Sequence, residues 1–121
     1  MNFHSIKKIK YWIQASRIQT LPLSISGIIL GSFFAYYNYS FDNIIFILSI
    51  ITAISFQILS NFANDYGDGI LGTDNDRIGP KRVIATGKLT LQELKKGIIV
   101  NVFISITFSK ISELLVEIIL P

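Results

Sequence analysis

Apolar residues along the chain fall into long runs separated by short polar stretches, and one segment near the start has a different rhythm. From about Ser5 to Gln19, Ile6, Ile9, Trp12 and Ile13 recur at helical spacing beside Lys7, Lys8, Lys10 and Arg17. That balance predicts a short amphipathic helix lying in a lipid headgroup region. Thr20 then offers a capping side chain, and Pro22 stands near the first helical position, where its missing N–H costs nothing. From Pro22 to about Tyr37 no residue is charged, and Tyr36, Tyr37 and Tyr39 gather at the far end as an interfacial aromatic belt does. A first span over residues 22–38 follows, at the short end of what a bilayer needs. Within it Gly27, Gly31 and Ala35 recur every four residues, which predicts a face that a neighbouring helix backbone can approach closely.

The polar segment from Asn38 to Asn43 has no lysine or arginine and is short enough to join two antiparallel helices. A second span is predicted over residues 44–63. Its β-branched and aromatic content would suit a strand, but a run this long without turn signals fits a helix. Residues 64–90, rich in Gly and Asp, are predicted as a polar loop. Thr90 and Glu93 have the spacing of a capping box, which starts a third helix at about Leu91 and a span over residues 91–109. Beyond Phe108 the chain reads SKISELLVEIILP, with Ile111, Leu114, Leu115, Ile118 and Ile119 on one face and Lys110, Glu113 and Glu117 on another. Lys110 arrives early for a comfortable span. Three readings of this tail stay open: charges facing a protein interior, an interfacial end, or a stretch outside the original reading frame. The expected fold class is all-α, a membrane helical bundle fragment of about three transmembrane helices preceded by a short interfacial helix.

Composition supports that picture. Half of the residues are hydrophobic, 16% are charged and the mean hydropathy is +0.52, which favours membrane over a small soluble domain. The net charge of +3 is mild, and the basic groups do not form a stripe interleaved with aromatics, so no nucleic-acid partner is expected. The absence of cysteine excludes disulfides and thiolate metal sites. His4, the one histidine, reads as a solvated side chain. The first long apolar run lacks a small-residue cleavage pattern and reads as a retained span rather than a signal peptide. Lys7, Lys8, Lys10 and Arg17 precede that run, and Arg77, Lys81, Arg82, Lys88, Lys95 and Lys96 lie between the second and third. This asymmetry predicts a multi-pass protein of the cell inner (cytoplasmic) membrane with its N-terminus and aspartate-rich loop in the cytoplasm.

Candidate chemistry sits where the second run ends. Gln57, Asn61, Asn64, Asp65 and Asp68 share one helical face by their spacing. Polar groups at membrane depth are expensive without a task. Gly67, Gly69 and Gly72 are expected to loosen the helix, so that Asp74, with Asp76 as a further candidate, turns back towards Asp65 and Asp68. Three converging carboxylates repel one another and resist leaving water. A hard divalent cation removes that penalty, and magnesium typically binds one or two carboxylates together with substrate phosphates. Asn61 and Asn64 can add amide oxygens or donate to phosphate. Arg77, Lys81 and Arg82 follow directly, and acids for a metal beside bases for the anion it carries suit a diphosphate. Ordinary topology also explains a basic loop, and glycine-aspartate segments often only turn.

The stretch NDYGDGILGTD, Asn64 to Asp74, resembles the first aspartate-rich motif of the intramembrane aromatic prenyltransferases, the UbiA superfamily. With QASRIQTLPLSISGIILG near the start and QILSNFANDYGDGILGTDNDRIGPKRVIATGKLT later, the chain up to about Ile99 is similar to the branch that prenylates 1,4-dihydroxy-2-naphthoate in menaquinone synthesis. The resemblance implies transfer of a polyprenyl group from polyprenyl diphosphate to that naphthoate. Magnesium (Mg2+) and basic residues draw off the diphosphate, the electron-rich ring attacks the allylic cation, and the carboxylate is lost to give demethylmenaquinone. Carried over by position, Asn64, Asp65, Asp68 and Asp74 match the metal-diphosphate motif, with Asp65 and Asp68 catalytic. Lys81 and Arg82 match the basic pair that acts on the leaving group. Arg17 falls where the family places an arginine near the cavity and is the candidate for an anionic substrate group, although a snorkelling interfacial arginine explains it equally well.

Family members are bundles of about nine spans with a second aspartate-rich motif, and this chain has about three spans and no second motif. An open half-site cannot exclude water from a reactive cation. The expectation is therefore an N-terminal part of such an enzyme, inactive alone, with a complementing C-terminal chain as a possible partner beside the two substrates and the lipid bilayer. The alternative is a small non-catalytic membrane protein, or a relic, whose acidic loop binds a divalent ion or a partner helix. A soluble helical domain would require the runs from Pro22 to Tyr37 and Ile44 to Phe62 to be core helices.

Overall fold

The computed structural model describes residues 2–72 and 83–120, and every described element is helical. In chain order these are α1 (Phe3–Ser16), a 3-10 turn (Ile18–Thr20), α2 (Leu21–Tyr37), α3 (Asn43–Leu71) and α4 (Leu91–Ile119). Three helical stretches are long and apolar enough to cross a membrane: Phe3–Tyr37, in which α1 and α2 are taken together, then α3 and α4. The expected all-α membrane architecture is therefore present. α2 buries none of its residues, and Leu23, Leu30, Phe33 and Phe34 all stand well exposed on it. Water penalises such surface by about 25 cal/mol per Å²; hydrocarbon does not, so α2 suits lipid and not the core of a soluble domain.

The chain divides into two compact units, Met1–Ile18 with Ile58–Val100, and Gln19–Gln57 with Asn101–Pro121. In the first, Ala15, Phe62, Val83, Leu89 and Leu94 form a buried core, with Tyr11, Trp12, Ile58 and Tyr66 packed against it. Trp12 meets Phe62 edge-on, with ring centroids 5.5 Å apart. Its indole also lies against Gly97, so close that an added Cβ would stand 2.6 Å from two ring carbons. The start of α4 is built as its spacing predicts. The Thr90 N–H donates to Glu93 Oε2 (3.0 Å) and the Glu93 N–H donates to Thr90 Oγ1 (3.1 Å), a complete capping box. Glu93 also pairs with Lys8 of α1.

In the second unit, Asp42 caps α3, its Oδ1 accepting the N–H groups of Ile44 and Ile45 at 2.9 Å each. Ser55, Asn101 and Ser105 are buried and bonded to one another. The exposed tyrosines Tyr36, Tyr37 and Tyr39 close the end of α2.

Several expectations change in detail. α3 does not stop near residue 63 but continues through Gly67 and Gly69 to Leu71, and Gly72, with φ +68°, ends it. Gly69 serves close approach rather than bending: a Cβ there would lie 2.8 Å from Ile84 Cγ2. α4 likewise runs unbroken past Phe108 to Ile119, with Lys110 and Glu113 paired on its exposed surface at 2.7 Å. Thr20 precedes α2 but its side chain makes no capping hydrogen bond, because the 3-10 turn leads straight into the helix. At Gly27 and Gly31 no described residue comes within 4 Å of an added Cβ, so the small-residue face of α2 has no neighbour among the described residues.

Candidate functional site

The candidate residues that the structure describes lie on the last turns of α3 and at the C-terminus of α1. Asn61 and Asp65 are one turn apart and both are buried, Asp65 to 1% exposure. They are directed at the same short piece of chain. Asn61 Nδ2 donates to the Ser16 carbonyl at 2.8 Å, and an Arg17 guanidinium nitrogen donates to Asp65 Oδ1 in a close ion pair. The Asp65 side chain is 2% exposed and that of Arg17 21%, so the carboxylate is sealed while the guanidinium still reaches the surface of the unit.

Arg17 terminates α1 in the left-handed conformation, φ 49° and ψ 61°. For a residue with a Cβ that region costs about 1 kcal/mol. The ion pair and the Asn61 bond to the preceding carbonyl hold it there. Helical spacing alone brings Asp65 and Asp68 onto one face, Asp68 about 4.5 Å further along the axis. Asp68 is half-buried and Asn64 is exposed, so the polar face divides: Asn61 and Asp65 turn towards α1, and Asn64 turns outward.

Gln57, the first position of the predicted stripe, belongs to the other unit, where it accepts a hydrogen bond from Ser24 Oγ at 2.5 Å. Asp74, Asp76, Arg77, Lys81 and Arg82 lie outside the described residues. Among the described residues no group of three His, Cys, Asp or Glu side chains comes together. The donor set that is described, carboxylate and amide oxygens, has the hardness magnesium prefers. Asp65 and Asp68 are the described candidates to hold it.

A second polar cluster went unread in the sequence. Ser55 Oγ donates to Asn101 Oδ1 (2.8 Å), Asn101 Nδ2 donates to the Ser55 carbonyl (3.3 Å), and Ser55 and Ser105 share a hydrogen bond of 2.7 Å. The available signal was Asn101 with Ser105 one turn later, an amide and a hydroxyl on one face of an otherwise apolar helix.

Comparison with known proteins finds relatives by sequence. No family model matches the chain, and no solved structure matches it. A protein of Escherichia coli (strain K12) named 1,4-dihydroxy-2-naphthoate octaprenyltransferase is 43% identical over 103 residues, which is 84% of this chain and 33% of the relative. Proteins of the same name from Haemophilus influenzae and Mycobacterium tuberculosis are 42% identical over 102 residues and 36% over 75, covering 82% and 62% of this chain. The first two matches span about a third of the relatives' own length. The expected resemblance is thereby borne out: over that third, the chain is similar to proteins named 1,4-dihydroxy-2-naphthoate octaprenyltransferase.

Proposed function

We propose that this chain carries the first metal-diphosphate half-site of an intramembrane prenyltransferase. The reaction it serves is transfer of a polyprenyl group from polyprenyl diphosphate to 1,4-dihydroxy-2-naphthoate with loss of the carboxylate, yielding demethylmenaquinone for menaquinone biosynthesis. The observation that carries the reading is the face of Asn61, Asp65 and Asp68 at the end of an apolar helix, in a chain 43% identical to a protein of that name. Buried ionisable groups on a membrane helix mark a task more often than not.

In this reading Asp65 and Asp68, with Asp74, present carboxylate oxygens, and Asn64 adds an amide that can accept from water or donate to phosphate. Arg77, Lys81 and Arg82 neutralise the diphosphate as charge builds on it, because guanidinium and ammonium donors form their strongest hydrogen bonds with such oxygens. Magnesium, when bound, supplies Lewis-acid stabilisation of the leaving group. The apolar surfaces of α2, α3 and α4 keep the site at the bilayer, where both the prenyl chain and the naphthoate ring are at home. The lysine and arginine asymmetry supports a cytoplasmic face of the inner membrane for the N-terminus and the acidic segment.

The reading is tested by grafting. The matched segment of the Escherichia coli relative is replaced with this chain's, and prenylated naphthoate is assayed with magnesium. Product is expected, and its loss on Asp68→Asn; an inserted, folded chimera without product contradicts the reading.

One observation favours a second reading, a non-catalytic membrane protein. Asp65 and Asn61 already serve the packing of α1, as a structural clasp does. Charge-neutral replacement separates the two. Asp65→Asn with Asp68→Asn abolishes magnesium-dependent diphosphate binding in the first reading and changes only stability in the second.

A further inference from the structure

The pair of Arg17 and Asp65 joins two residues that the sequence assigns to different partners, one to an anionic substrate group and one to a metal. In the structure each has the other. Burial of a carboxylate is costly unless it is paired, and the Arg17 guanidinium is a partner of Asp65. The position of the two side chains is asymmetric: Asp65 belongs to the interior of its unit, whereas the guanidinium retains access to the outside. Arg17 can therefore leave while Asp65 stays.

We propose that Arg17 is a positioning residue, an internal counter-ion that holds Asp65 aimed until a divalent cation takes its place, so that cation binding on α3 loosens the C-terminus of α1. The inference rests on the metal-diphosphate reading given above. Cation and guanidinium compete for the same carboxylate, since Oδ1 accepts from Arg17. Release also has a local driving force. Arg17 is a non-glycine residue at φ 49°, a conformation retained only where the surroundings enforce it. Its own ion pair and the Asn61 bond to Ser16, the residue before it, are among the contacts that enforce it. Loss of the first removes one of these contacts. Five residues upstream, Trp12 packs on Phe62 and Gly97 and reports whether α1 stays docked.

The test uses the full 121-residue chain in nanodiscs, with Mn2+ as the spectroscopic probe and no prenyl substrate. Binding is measured by the loss of the free-ion paramagnetic resonance signal for the unaltered chain, Arg17→Gln, Arg17→Lys and Asp65→Asn. Trp12 emission is followed separately during titration with Mg2+. Removing the competitor is expected to tighten Mn2+ binding roughly tenfold in Arg17→Gln, a coupling of ordinary size, with a smaller gain in Arg17→Lys. Asp65→Asn is expected to lose binding, and Mg2+ to shift Trp12 emission in the unaltered chain only. Should Arg17→Gln fail to insert, Arg17→Lys keeps the charge and carries the comparison. Binding that depends on Asp65 but is unchanged or weakened in both Arg17 variants overturns the inference and leaves the metal reading standing. Absence of Mn2+ binding in every form overturns the metal reading, and this inference with it.

Discussion

Ser55 on α3 and Asn101 on α4 bond in both directions, the hydroxyl donating to the amide oxygen at 2.8 Å and the amide nitrogen donating to the Ser55 carbonyl at 3.3 Å. Ser105 completes the cluster from one turn further along α4. Hydrocarbon offers these groups no other partner, so they fix the facing of the two helices within their unit. Each such contact is nonetheless worth only about 1 kcal/mol in a membrane, because the separated helices also find partners. Asn101→Ala is expected to lower stability by about that amount, since Ser55 and Ser105 can still bond to each other. Asn101→Leu is expected to cost more, because it adds bulk and leaves the Ser55 hydroxyl with less room. Reversible unfolding in mixed detergent micelles gives both values.

Gly97 lets α4 approach the indole of Trp12 more closely than any side chain allows. Gly97→Ala is expected to displace the ring and cost about 1–3 kcal/mol, the usual range for overpacking a filled site. Trp12 is the only tryptophan, so its emission reports the displacement directly. A red shift in Gly97→Ala, absent from Gly67→Ala where no described residue comes within 4 Å of an added Cβ, is the expected result.

Arg17→Ala takes the guanidinium away from the buried Asp65 carboxylate and is expected to cost about 3 kcal/mol. Replacing both partners by apolar residues, Arg17→Met with Asp65→Leu, removes the buried charge and is expected to recover most of that loss. The double-mutant cycle therefore shows a coupling of about 2 kcal/mol, within the range for contacting charged residues. Additive single effects would show that the pair is incidental.

The sequence disclosed the helices and much of the site, for reasons that differ by element. Thr90 and Glu93 announce the start of α4 because a capping box is local, needing only residues three apart. The face of Asn61, Asp65 and Asp68 follows from helical geometry alone. What these side chains touch does not, because the Ser16 carbonyl and the Arg17 guanidinium reach α3 from 45 and 48 residues away. The glycines misdirected the boundary of α3. Gly67 and Gly69 read as loosening the helix, yet a helix keeps a glycine where another element needs its backbone surface, as Ile84 does at Gly69. The cluster of Ser55, Asn101 and Ser105 stayed hidden because the one-turn spacing of Asn101 and Ser105 is a faint signal and Ser55 reaches them from 46 and 50 residues away. Asp42 escaped notice as a single capping aspartate in a short polar link.

The central claim, that Asp65 and Asp68 grip a divalent cation together with a diphosphate, is tested most directly by equilibrium binding of a polyprenyl diphosphate to the 121-residue chain in nanodiscs, with and without Mg2+. Binding that requires Mg2+ and disappears in Asp65→Asn with Asp68→Asn is the expected result. Equal binding without Mg2+, or binding retained by the doubly substituted chain, would contradict it.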